Sequence, residues 1–319
     1  MRNETPGYIT AQMTAEPPYS ATRIKGAFMH VSFSNWLPPP YPIDDGACLI
    51  AVGDIHGHAG ELLAMRNVIL SQVQDNPQFR CHVIYLGDYI DRGKCSRKVL
   101  EILASGIGNS IDEIFLVGNH DQFLVELLNF DEEIDKRFIS AWYENGGTET
   151  MTDLGVDGYG RLVDKGDLRE LSARTRNALG EELVGFLRSL DVTYRYGNYV
   201  FVHAGIDPKR RLCDQDFADL LLIREPFLSS SDTWIHDFCV VHGHSISVPS
   251  IHPHRISVDS GCYRTGALCA VQIANTGVRF IAITQTESHS WLSCLGPSAC
   301  DWAWSIPTPV ILEDKSVLW

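Results

Sequence analysis

Three apolar runs of strand length, each broken off at a glycine followed by a side chain carrying an oxygen ligand, constrain this chain more than any other feature. Leu49-Ile50-Ala51-Val52 ends in Gly53-Asp54-Ile55-His56-Gly57, and Val83-Ile84-Tyr85-Leu86 ends in Gly87-Asp88-Tyr89-Ile90-Asp91-Arg92-Gly93. Ile114-Phe115-Leu116-Val117 ends in Gly118-Asn119-His120-Asp121. Short continuous apolar runs bounded by turn residues read as buried strands. Each is followed by a helical pattern, over residues 61–73, 96–104 and 122–128, so the chain predicts a β-α alternation and a mainly α/β core. Two later runs repeat the ending: Tyr199-Val200-Phe201-Val202 before His203-Ala204-Gly205, and Phe238-Cys239-Val240-Val241 before His242-Gly243-His244-Ser245. Further runs over 255–258, 268–273 and 278–283 carry no ligand at their ends and read as plain sheet.

Side chains delivered at the carboxyl ends of neighbouring strands converge in one crevice, which is where open α/β sheets bind ligands. Here they are Asp54, His56, Asp88, Asn119, His203 and His244. Imidazoles mixed with carboxylates and an amide oxygen suit Mn²⁺, Fe or Zn²⁺ better than Ca²⁺, which takes oxygen almost throughout. Six ligands are too many for one metal that keeps an open position, and they fit two metals sharing a carboxylate at about 3.5–4 Å. Singly the motifs are weak: Gly-Asp-x-His is also a turn with a capping aspartate, and His-Ala-Gly is also a core histidine. Gly-Asp-x-x-Asp-Arg-Gly is stronger, because a core does not absorb two acids and an arginine in one turn without a purpose. His242, on the other side of Gly243, is a rival to His244.

Composition bounds the rest. With 319 residues, 45% of them hydrophobic, the chain has material for one large domain or two modest ones. A formal net charge of −14 argues against a protein that coats nucleic acid. It leaves room for a locally positive cleft. No run has the length of a membrane span, and residues 1–20 lack the apolar core of a secretory signal. Nine cysteines without a CxxC pair, several inside apolar runs, read as reduced and mostly buried thiols of a cytoplasmic protein. Residues 1–46, with prolines at 17, 18, 38, 39, 40 and 42, read as an N-terminal extension, and 47–284 as the catalytic domain. Within that domain the polar segment 129–198 reads as a helical insertion over the open edge of the site. Residues 285–319 form a Trp-rich tail whose tryptophans favour packing back on the core over mediating a contact.

In this order and spacing the five motifs resemble the phosphoprotein phosphatase family of calcineurin-like metallophosphoesterases, over about residues 48–285. The Trp142…Asn145-Gly146-Gly147 segment is similar to the bacterial and bacteriophage lambda-type branch; the Ser-Ala-Pro-Asn-Tyr element of the eukaryotic branch is absent. The resemblance implies a four-layer α/β fold, a central β-sandwich flanked by helices, with a dimetal centre at one rim. It implies that Asp54 and His56 bind the first metal, that Asp88 bridges, and that Asn119, His203 and His244 complete the second, with two Mn²⁺ ions expected ahead of Fe or Zn²⁺. His120, beside Asn119, is placed to protonate the departing oxygen, and Asp91 to orient its imidazole. Arg92 offers a planar fork of donors to phosphoryl oxygens, and Arg224 resembles a second family arginine. The expected activity is direct hydrolysis of a phosphomonoester by in-line attack of metal-bound hydroxide, with a phosphorylated protein or peptide as substrate and no nucleic-acid or membrane partner. A symmetrical dinucleoside tetraphosphatase and a catalytically silent metal-binding scaffold are the alternatives. Asp121 stands where the family usually has Glu, and Lys94 replaces a common proline. Nothing in the chain signals an oligomeric state.

Overall fold

The computed structural model describes residues 29–108, 111–130, 136–285 and 308–310. In chain order its first half contains β1 (Met29–Phe33), β2 (Ala47–Val52), α1 (Ala59–Asp75), β3 (Arg80–Tyr85), α2 (Ser96–Ala104), β4 (Ile111–Phe115), α3 (Asn119–Leu128), α4 (Lys136–Trp142), α5 (Thr148–Asp153), α6 (Tyr159–Lys165) and α7 (Leu168–Arg188). The second half contains β5 (Thr193–Tyr196), β6 (Tyr199–Val202), α8 (Phe217–Leu222), β7 (Cys239–His242), β8 (Ser250–Ile251), β9 (Arg255–Ser257), α9 (Cys262–Thr265), β10 (Ala267–Ala274), β11 (Gly277–Thr284) and β12 (Thr308–Val310).

Continuous apolar runs fold as strands covered on both faces, because each face must find its own partner. Every residue of β2 is buried, and its side chains divide by the two-residue period of a strand. Ile50 and Val52 pack against α1, α2, α3 and α7, whereas Leu49 and Ala51 face Tyr199, Phe201, Val241 and Ile256 of the other sheet. The outer face of that second sheet, through Val200, Val202 and Val240, is covered by Leu220 of α8 together with Ile206 and Phe227. The result is helices, sheet, sheet and a thinner covering layer. Fully burying each large aliphatic side chain contributes about 1.5–3 kcal/mol.

One sheet has the order β12-β1-β11-β10-β2-β3-β4 and the other β5-β6-β7-β9-β8. In the first, β2, β3 and β4 run parallel; in the second, β6, β7 and β9 do. Six parallel strands from two sheets therefore supply the segments around the site.

One reading changes. Met29–Phe33, assigned above to the N-terminal extension, is a strand of the larger sheet, with His30 opposite Thr284 of β11. Five residues containing His30 and Ser32 carry too little periodicity to announce a strand; the open edge of β11 selects them. Within the helical segment read over 129–198, α7 breaks at Gly180, where φ is 78° and ψ 164°. The Trp-rich tail lies outside the described residues apart from Gln285 and β12, whose backbone pairs with β1. Among the described residues no helix is long and apolar enough to cross a membrane. Of the described cysteines, Cys48, Cys81, Cys239, Cys262 and Cys269 are buried free thiols, and Cys95 and Cys213 are exposed.

A histidine-rich patch lies on the covered side of the second sheet. His242 is fully buried, with its ring 5.0 Å from Phe227, and burial reinforced by the Arg255 guanidinium pushes it down to about 3. Burial and Arg255 likewise push His252 down to about 4. Both lie below the ordinary value of about 6.5. The unfolded chain therefore binds protons that the folded chain refuses, and these groups make stability fall as pH drops from about 6.5 towards 3, with no effect above that window. Denaturant midpoints are expected to fall between pH 7 and pH 4.5, less steeply in His242→Phe than in the wild type. Equal slopes in the two proteins would sink this account.

Candidate metal centre

The loops after β2, β3, β4, β6 and β7 meet at one rim of the sandwich. Ligand-type atoms of His56, Asp88 and His120 lie within 4.8 Å of one another, and so do those of Asp88, His203 and His244. Asp88 belongs to both groups, its oxygens standing 3.5 Å from His56 Nε2 on one side and 3.5 Å from His203 Nε2 on the other. Asn119 Oδ1 is 3.0 Å from His203 Nε2. Asp54 stands behind these groups, both its oxygens accepting the backbone N–H of His244 at 3.2 Å.

The backbone is bent hard to achieve this. Among the described residues, the non-glycine positions with positive φ are His56 (45°), Asp88 (54°), Asp91 (72°), Arg92 (65°) and His244 (60°). Each conformation costs a residue with a Cβ about 1–2 kcal/mol, and all five belong to the segments singled out from sequence. Hydrogen bonds hold the bends: Asp88 O accepts the N–H groups of Ile55 and His56 at 3.1 and 2.8 Å. The Asp121 carboxylate accepts the N–H groups of Asp88, Tyr89 and Gly118 at 2.7, 3.0 and 2.9 Å. Gly118 admits this approach because a Cβ there would stand 2.2 Å from both the backbone nitrogen and Oδ1 of Asp88.

The donor set fits divalent metal. Nδ1 of His56 donates to Ile90 O and Nδ1 of His203 to Leu86 O, both at 2.8 Å, which leaves each Nε2 as a lone pair turned inward. Burial, the largest influence, pushes His56 and His244 down to about 3, so both imidazoles are neutral at pH 7. Among the described residues His244 Nε2 is buried without a hydrogen-bond partner, and the lone pairs of His203 Nε2 and Asn119 Oδ1 confront each other. Burial, then the neighbouring Asp259 and Asp88, pushes the Asp54 carboxyl well above the usual range. Inward lone pairs and crowded buried carboxylates call for cations, and mixed nitrogen and oxygen donors match first-row divalent ions.

Beside these groups, His120 Nδ1 and Asp91 Oδ2 are 2.6 Å apart. Asp91 is fully buried; Trp142 Nε1 donates to Oδ2 and Thr150 Oγ1 to Oδ1, each at 2.6 Å. Burial alone would lower the His120 pKa, but the Asp88 and Asp91 carboxylates outweigh it and raise it. The Arg92 guanidinium reaches both rings, 3.0 Å from His56 Nε2 and 2.9 Å from His120 Nε2. Arg224 is exposed just beyond α8, near enough that its charge helps to lower His203 and His244. Its neighbours on α8 line a recess of about 420 Å³ beside Asn119, walled by Phe123, Phe138, Phe217, Leu221 and Leu222.

His244 joins the ligand group and His242 does not: its ring packs against Phe227, away from Asp88. The run over 255–258, read as plain sheet, ends in an acid that borders these groups. Asp259 follows β9 directly, is buried, and stands near enough to Asp54 that its charge raises that carboxyl. The signal was present in Val258-Asp259-Ser260-Gly261, an acid straight after an apolar run. Trp142 and Thr150 had no such signal as partners of Asp91, since both come from the helical segment 51 and 59 residues away in sequence.

A family model described as calcineurin-like phosphoesterase matches residues 49–269. The chain belongs to that family. Among solved structures, this phosphoesterase is similar to a provisionally assigned diadenosine tetraphosphatase, at 19% identity over 75% of this chain and 96% of that one, TM-score 0.49. It is similar to the cold-active protein-tyrosine phosphatase of a psychrophilic Shewanella species, at 16% identity over 75% and 82% of the two chains, TM-score 0.44. A metallophosphoesterase from Sphaerobacter thermophilus matches at 15% identity over 80% and 97%, TM-score 0.42. No curated protein matches the sequence.

Asp259 tests how far the centre extends. Removing a group that orients a metal ligand typically costs about 10–100-fold in metal affinity. Asp259→Ala is expected to weaken Mn²⁺ binding by that order in competition with a fluorescent chelator, and an unchanged affinity would remove Asp259 from the site.

Proposed function

We propose that this phosphoesterase is a dimetal phosphomonoesterase acting on phosphoserine and phosphothreonine in proteins or peptides. The observation that carries the proposal is the His120–Asp91 pair, a buried imidazole beside the ligand groups held by a carboxylate that accepts from His120, Trp142 and Thr150. A serine or threonine alkoxide is a poor leaving group and needs a proton as the P–O bond breaks. A nucleoside diphosphate departs without one, so an acid built with this much support favours an alkyl phosphomonoester over a dinucleoside polyphosphate.

Asp54, His56 and Asp88 would hold one metal ion, and Asp88, Asn119, His203 and His244 a second. Two divalent ions, Mn²⁺ the leading choice, would supply a water of lowered pKa and neutralise charge on the phosphoryl group. Arg92 and Arg224 bind phosphoryl oxygens, and the planar guanidinium of Arg92 suits a two-point contact. His120 delivers its proton from Nε2 while Asp91 holds Nδ1, which keeps the ring oriented and supports its charged form. The apolar recess beside Asn119 offers room for side chains flanking the phosphorylated residue.

Chelator-stripped protein is expected to release phosphate from a phosphothreonine peptide only on addition of Mn²⁺, and faster than it cleaves diadenosine tetraphosphate. Preference for the dinucleotide would overturn the protein-phosphatase reading. His120→Asn is expected to keep its metal content and to lose about 10²–10⁴-fold in kcat on the peptide. The loss on p-nitrophenyl phosphate, whose leaving group needs little protonation, is expected to be smaller; near-wild-type turnover on the peptide would remove His120 as the acid.

A further inference from the structure

Arg92 carries the charge proposed to meet the phosphoryl group, and what holds that charge in place is not an acid. Among the described residues no carboxylate forms an ion pair with it; its terminal nitrogens reach the His56 and His120 rings, and its Cζ lies 4.4 Å from the centroid of the Tyr263 ring. The same ring stands edge-on to His56, centroids 5.2 Å apart and planes at 86°. Tyr263 is 38% exposed, so it forms part of the rim through which a substrate enters.

The segment presenting this ring is firmly held. Gly261 turns with φ at 66°, and a Cβ there would come within 2.9 Å of the Ile246 side chain. Its N–H donates to Asp259 Oδ1 at 2.7 Å, Ser260 Oγ donates to Ala267 O at 2.6 Å, and Thr265 Oγ1 donates to Ser260 O at 3.1 Å. Cys262, the first residue of the one-turn helix α9, is buried beneath. One loop thus places Asp259 against Asp54 on the inside and Tyr263 against Arg92 at the rim.

We propose that Tyr263 is a positioning residue for phosphate recognition: its ring face fixes the plane of the Arg92 guanidinium without cancelling the charge, or taking up any N–H group, that the phosphoryl oxygens require. A carboxylate in its place would hold the arginine as well, but would occupy the donors and cancel the charge that the substrate requires. An aromatic face attracts the cation through its quadrupole and takes up none of the N–H groups. The proposal rests on the phosphate-binding role given to Arg92 above, and on nothing about which phosphoester is the natural substrate.

The test uses the full-length, Mn²⁺-loaded protein with inorganic phosphate and p-nitrophenyl phosphate as probes. In Tyr263→Leu, calorimetric phosphate affinity is expected to fall and KM to rise together by about 3–30-fold, the range of a cation–π contact between exposed and desolvated settings. The change in kcat is expected to stay within about threefold, with metal content and melting temperature unchanged. Tyr263→Phe keeps the ring face and is expected to stay within about twofold of wild type. Adding Tyr263→Leu to Arg92→Ala is expected to cost nothing further, because the brace then has nothing to hold. Unchanged phosphate affinity in Arg92→Ala would overturn the assignment of Arg92, and the brace with it. Weakened affinity in Arg92→Ala beside unchanged affinity in Tyr263→Leu would overturn the brace alone, as would a Tyr263→Phe variant as impaired as Tyr263→Leu.

Discussion

The left-handed backbone at His56, Asp88, Asp91, Arg92 and His244 is the constraint on which the rest of the site depends. A side chain at the end of a strand ordinarily continues the pleat, pointing to one face or the other of the sheet. Turning the chain through positive φ redirects it past the strand end into the shared crevice, at a cost of about 1–2 kcal/mol for each residue with a Cβ. Such conformations persist only where their surroundings over-determine them. Here that work falls largely to one buried carboxylate. Asp121, in the first turn of α3, accepts an N–H from its own loop at Gly118 and two from the neighbouring loop at Asp88 and Tyr89. It ties the ends of β3 and β4 together, and the shorter aspartate in place of glutamate suffices because Gly118 lets the two loops touch.

The architecture explains why the chemistry gathers where it does. Parallel strands of both sheets, covered on both faces by apolar side chains, bring their loops to one rim, and polar groups concentrate there because the core admits none unpaired. The metal-type ligands sit nearest the sheets. His120, the proposed proton donor, stands beside them, and the orientation of its partner Asp91 comes from the helical segment, where Trp142 and Thr150 close around that carboxylate. A buried aspartate with three side-chain donors has little freedom to move, which keeps the His120 imidazole in register with the ligand groups.

The parts legible in the sequence were those with a local signature. Gly-Asp-x-His, Gly-Asp-x-x-Asp-Arg-Gly and Gly-Asn-His-Asp each couple an apolar run to a turn within a few residues, so α1, α2 and α3 and the strands before them could be placed from periodicity. The ambiguity between His242 and His244 could not be resolved that way. Both flank Gly243, and which of them faces the ligand groups depends on the turn at the end of β7, with φ at 60° for His244. Asp259 was passed over because a single acid after a strand is as readily a capping aspartate in a turn. Met29–Phe33 was passed over because a strand at the side of a sheet is selected by the partner edge it meets.

By itself the sequence determined the α/β class, the order of the ligand-bearing loops and the identity of the groups that gather at one rim, because strand ends and glycine turns are local features. Only the tertiary structure decided which distant residues complete the site. Trp142 and Thr150 reach Asp91, Asp259 reaches Asp54 and Tyr263 reaches Arg92 across separations that no periodicity encodes. Those contacts exist because two sheets and a helical layer pack against one another, and packing brings together side chains whose meeting depends on the whole core.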